Sequence, residues 1–155
     1  MTLQFLELKI PPPLVALLAA TAMWWVAGHT PVLPLSPAFC RVAAIAIASL
    51  GAACDSAGLI AFLRSRTTIN PMRPAATRAL VTSGIYRFTR NPMYVGLLLF
   101  LTAWGIFLSS GWALLAAPLC GGYLTRFQVV PEEKVLAERF GSAYDAYRAR
   151  VRRWL

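Results

Sequence analysis

The sequence predicts an all-α integral membrane protein with about four transmembrane helices. The last two form a short C-terminal hairpin, and an amphipathic interfacial helix follows. Three observations carry this expectation. Hydrophobic residues make up 58% of the 155 and mean hydropathy is +0.60, more apolar surface than a water-soluble fold hides. The apolar residues gather into four segments, roughly 14–28, 38–63, 93–108 and 112–125. The basic residues fall unevenly between them.

The first segment follows "MTLQFLELKIPPP", which has one lysine and is followed by no small-residue cleavage site, so it is expected to remain as a helix rather than be removed as a leader. The second is long enough to span with tilt. A span needs about 20 residues at about 1.5 Å each, so the third and fourth are short and turn tightly around "SSGW". The tail from Pro131 opens Pro-Glu-Glu, a helix start. Leu136, Phe140, Tyr144, Tyr147, Val151 and Trp154 then recur at steps of three and four. The spacing predicts one stripe on one helix face, with the helix lying along the membrane surface or capping the bundle.

Thirteen arginines dominate the net charge of +9. The stretch 64–90 holds six of them and no acid, whereas 29–37 and 109–111 carry no charge at all. That asymmetry predicts cytoplasmic termini and a cytoplasmic long loop, with Trp24, Trp25 and Trp112 at the outer interface. It also fits headgroups better than nucleic acid. Cys40, Cys54 and Cys120 are scattered singly and His29 stands alone, so neither a metal site nor a disulfide framework is expected. The length suits one domain, 1–155. Asp55, inside the second segment, is a functional candidate by position, though Ser56 and loop arginines could satisfy it structurally.

One polar cluster stands at the mouth of the third helix, in "GIYRFTRNPMYVG". Pro92 occupies a first-turn position, so its neighbours lie where unpaired amides and a positive dipole favour a carboxylate. Arg90 adds a planar cationic fork, Asn91 a neutral donor and acceptor, and Tyr86 and Tyr94 aromatic faces with polar tips. Glu132 and Glu133 follow the fourth segment on the same predicted side. Taken singly, each group suits interfacial anchoring or dipole matching. Together they give a surface site with both signs of charge, suited to a zwitterionic, adenosine-bearing ligand.

"LVTSGIYRFTRNPMYVG", a short apolar hairpin and then "PEEKVLAERFGSAYDAYRARV" resemble, in that order, the isoprenylcysteine carboxyl methyltransferase and phospholipid methyltransferase superfamily. The resemblance covers about 67–154 as a catalytic core. It implies a membrane-embedded enzyme that moves a methyl group from S-adenosylmethionine to a lipid-like or small hydrophobic acceptor: a carboxylate, an amine lipid or a thiol. It assigns cofactor contact to Arg78, Ala79, Leu80, Val81, Tyr86, Asn91, Pro92, Met93, Tyr94 and Glu132. Arg90 and Glu133 are expected to face the reacting centre, Arg90 orienting an acceptor and Glu133 placing or deprotonating it. Arg126 and Gln128 lie where such proteins contact substrate. Eukaryotic members have Arg-His-Pro where this chain has "RNP", and Asn91 cannot carry a proton as histidine does. They also have an arginine at the place of Gln128, which puts prenylcysteine in doubt as acceptor. A non-catalytic membrane subunit binding anionic headgroups is the rival from another class.

Overall fold

Residues 7–65 and 79–155 are described by the structure, a computed structural model. Arg78 and the start of the expected core near Thr67 lie outside the described residues. All regular structure within them is helical. Helices α1 (Pro12–Ala27), α2 (Pro37–Arg64) and α3 (Pro92–Phe107) each begin with proline in the first turn, where its missing N–H costs no bond. Ser36 caps α2 by accepting the Phe39 amide at 3.1 Å. These three helices match the first three predicted segments.

The fourth segment departs from expectation. Short helices α4 (Gly111–Leu114) and α5 (Ala116–Leu124), a π-helical turn at Thr125–Val129 and helix α6 (Val130–Phe140) run on as one rod of 30 residues. The apolar window closes near Thr125, yet the helix carries straight through Pro131. Proline cannot donate to the preceding turn. The Phe127 carbonyl instead accepts the Leu8 amide at 3.0 Å, and the π turn absorbs the mismatch, as such bulges do.

The expected single C-terminal helix is likewise two. Gly141, at φ 51°, ends α6, and α7 (Ser142–Arg150) starts in a new direction. Glycine takes that left-handed conformation without strain. The predicted stripe is therefore divided: Leu136 and Phe140 belong to α6, Tyr144 and Tyr147 to α7, and Val151 and Trp154 to the segment beyond.

The helices run alternately up and down. Trp104 of α3 donates to the Ala20 carbonyl of α1 at 3.0 Å, and the two connections at the far end are tied by Leu33 to Ser109 at 2.7 Å. α2 packs along α3 through glycine: a Cβ on Gly51 would meet the Gly96 carbonyl at 3.0 Å, and one on Gly96 would collide with the Asp55 carboxyl. Small residues of this kind let membrane helices approach closely. Asp55 Oδ1 is enclosed there without a hydrogen-bond partner. The main core lies on the other side of α3, where Met23, Leu101, Ala113 and Leu124 meet.

Two helices among the described residues are long and apolar enough to cross a membrane, Pro37–Arg64 and Gly111–Phe140. α1 and α3, at 16 residues each, reach about 24 Å and fall short of a full span alone. Trp24, Trp25 and Trp112 are exposed at the hairpin end of the bundle, opposite the polar mouth.

Candidate functional site

The site forms where the start of α3, the start of α6 and the end of the chain converge. Gly84, at φ 63°, opens a 3-10 turn, Gly84–Arg87, that swings Tyr86 inward. Tyr86 is buried with Val81 against Ala61 of α2 and meets the Phe62 ring edge-on at 5.5 Å. Ala79 and Leu80 are half-buried beside it. The Tyr147 hydroxyl donates to the Tyr86 carbonyl at 2.8 Å. Burial first, and then the neighbouring Tyr147 and Glu132, push the Tyr86 hydroxyl well above the ordinary tyrosine range. Burial does the same to Tyr147, against the pull of Arg90. Both are therefore neutral near pH 7 and available as donors.

Thr89, Arg90 and Asn91 lead into α3. Pro92 is fully buried, and Met93 packs where α2 offers Gly58, with no room for a Cβ. One turn into the helix, the Tyr94 hydroxyl donates to Glu132 Oε1 at 2.5 Å. This bond joins the two sequence motifs across 38 positions. A second link is an ion pair, Arg90 Nη1 to Glu133 Oε1 at 3.0 Å, with side chains only 10% and 13% exposed. Arg90 also donates to the Tyr144 hydroxyl at 3.2 Å. Its Nε is buried with no partner. A buried donor left unmet is costly, and a carboxylate or phosphate oxygen is the group that relieves it.

Sequence reasoning missed Arg153. Its Nε and Nη2 grip Glu133 Oε1 and Oε2 at 3.0 and 2.7 Å. Two guanidinium groups thus share one carboxylate, which leaves that trio with a net positive charge. The Asn91 side chain donates to the Arg153 carbonyl at 2.9 Å. No residue pattern announces a backbone carbonyl as partner. The run of arginines at 148–153 was a visible signal, but it reads equally as a basic surface.

Arg126 and Gln128 sit apart from this cluster, on the π turn. Arg126 pairs with Glu7 at 2.5 Å. Gln128 is fully buried and donates to the Ile10 carbonyl at 2.6 Å, while its Oε1 has no partner. Both are engaged with the segment before α1. Among the described residues, no group of three or more His, Cys, Asp or Glu side chains is arranged to hold a metal ion.

Chemically, the mouth offers a cationic patch with an unmet donor, the amide end of α3, and a carboxylate held by a tyrosine. Such a place binds an anionic group on one side and a hydroxyl or cationic group on the other. No solved structure matches the chain. An uncharacterized protein of Haemophilus influenzae (strain ATCC 51907 / DSM 11121 / KW20 / Rd) is 40% identical over 63 residues, which is 41% of this chain and the whole of that protein. The family model for phospholipid methyltransferases matches residues 39–143, which takes in α3, both glutamates and the turn into α7. The chain belongs to the phospholipid methyltransferase family.

Proposed function

We propose that this protein is a membrane-embedded, S-adenosylmethionine-dependent methyltransferase whose acceptor is a lipid, and that the polar mouth is its active site. The observation that carries the reading is the joining of the two motifs by Tyr94 to Glu132 and by Arg90 to Glu133. Neither pair is needed to close an apolar bundle.

The residues present fit the cofactor. Its methionine carboxylate suits the amides at the start of α3, beside Asn91. Its ribose hydroxyls and ammonium suit Glu132, and the enclosed wall of Val81, Tyr86, Pro92 and Met93 suits its apolar surface. Ala79 and Leu80 complete that wall, together with Arg78 on sequence grounds. When bound, S-adenosylmethionine supplies a sulfonium-activated methyl group to a nucleophile.

This chain's own residues do the positioning. The net positive charge of Arg90 and Arg153 around Glu133 holds an anionic headgroup, phosphate or carboxylate, at the membrane face. Because both Glu133 oxygens are engaged by guanidinium groups, its work is to place Arg90 rather than to take a proton. Burial of the mouth excludes water, and alignment of the reacting atoms at about 3 to 3.5 Å supplies the rate. Arginine asymmetry puts the mouth and both termini in the cytoplasm, where the soluble cofactor is found.

The test is transfer of a labelled methyl group from S-adenosylmethionine to a membrane lipid extract. Label in the lipid phase supports the reading, and alkali sorts the acceptor: a methyl ester releases volatile methanol, whereas N-methyl label stays. Absence of transfer together with vesicle binding that depends on anionic lipid would favour the non-catalytic, headgroup-binding subunit.

A further inference from the structure

Three residues at the end of the chain hold much of the mouth together. α7 ends at Arg150, and the strand of chain beyond it runs back across the start of α3. The Arg152 carbonyl accepts the Arg90 amide at 3.0 Å. The Arg153 carbonyl accepts both the Thr89 hydroxyl at 3.2 Å and the Asn91 side-chain amide at 2.9 Å. Trp154 packs against the core cluster that contains Tyr94 and Val129.

Most of these bonds use backbone carbonyls, which any residue provides. The Arg153 side chain is different. Its Nε and Nη2 take the two oxygens of Glu133 side-on, a parallel fork that lysine cannot form. An exposed ion pair contributes little to stability, but here the carboxylate is nearly buried, and it is the same carboxylate that orients Arg90. Glu133 raises the already high pKa of Arg153 further, in keeping with a close contact.

We propose that Arg153 is a positioning residue of the active site. Its fork fixes the Glu133 carboxylate and so the Arg90 guanidinium. By seating residues 152–154 it also fixes the Asn91 side chain and the Arg90 backbone. The chain end is thereby part of the catalytic machinery rather than a trailing basic tail. The catalytic consequence rests on the methyltransferase reading, whereas the seating of the chain end does not.

The experiment compares the full-length protein in detergent with Arg153→Ala, Arg153→Lys and, as a control that removes one nearby positive charge, Arg150→Ala. Amide hydrogen exchange at Arg90 is read without any cofactor. Arg153→Ala should speed it by about tenfold or more, the scale of one charge-assisted contact. Arg153→Lys should fall between, and Arg150→Ala should match the native chain. With labelled S-adenosylmethionine and lipid extract, turnover of Arg153→Ala should drop by about tenfold, with partial recovery in Arg153→Lys.

Arg90 exchange that stays at the native rate in Arg153→Ala overturns the proposal. So does turnover equal to that of Arg150→Ala when exchange has risen. A native chain that binds no S-adenosylhomocysteine overturns the methyltransferase reading instead. The two failures are distinct, because the exchange measurement needs no cofactor.

Discussion

At the scale of single residues, the contact between Tyr94 and Glu132 sets the chemistry of the mouth. A tyrosine that donates to a buried carboxylate fixes one oxygen and leaves the other for a ligand. Tyr94→Phe removes that constraint but keeps the ring, so the folded protein should persist while S-adenosylhomocysteine affinity falls by roughly tenfold. Isothermal titration checks it, and unchanged affinity would reduce the pair to a structural tie. The residue scale is also where the sequence spoke most unevenly. Arg90, Asn91, Tyr94, Glu132 and Glu133 could be singled out from the sequence as polar groups flanking apolar runs, and the resemblance joined them into one site. The structure brings them together at one mouth. Arg153 could not be singled out in this way, since a carbonyl partner and a fork closed by tertiary folding leave no local signature. Gln128 was read as a substrate contact, and its observed bond to Ile10 depends on a segment more than a hundred residues away.

Helices and turns tell a second story. The first three helices were legible from apolar runs bounded by proline. The fourth was cut short, because the apolar run closes near Thr125 and Pro-Glu-Glu at 131–133 reads as the start of a separate helix. Only the chain before α1, which supplies the Leu8 amide and the Ile10 carbonyl, makes continuation affordable. At the α2–α3 crossing, Gly96→Ala drives a methyl group into the Asp55 carboxyl. Overpacking of that kind costs about 1 to 3 kcal/mol, so thermal unfolding in detergent should shift down by several degrees. Adding Asp55→Ala should recover part of the loss, as neighbours couple. Additive losses would show that the two do not touch.

For the whole molecule, stability should depend on alkaline pH through the tyrosines that dock α7. Tyr86 and Tyr147 ionise near 10.0 in an unfolded chain and higher in the folded one. Above about pH 10, then, the unfolded chain gives up protons that the folded chain keeps, and stability falls as pH rises. Each hydroxyl contributes up to about 1.4 kcal/mol per pH unit to that fall, and nothing well below pH 10. Tyr147→Phe should flatten the alkaline limb of the melting temperature, and an unchanged slope would contradict the docking. Orientation is a property of the same scale. Cysteine labelling in intact cells should reach 29–37 from outside and spare 64–90, and the reverse pattern would invert the topology.

All of these levels meet in one claim, that the polar mouth of α3 and α6 binds an adenosylmethionine-type ligand. The most direct measurement is calorimetric titration of the detergent-solubilised native chain and of Glu132→Gln with S-adenosylhomocysteine. Saturable one-site binding by the native chain, weakened by roughly tenfold to a hundredfold in a folded Glu132→Gln, is the predicted result. A folded native chain that gives no binding, or a Glu132→Gln that binds as tightly as native, would contradict it.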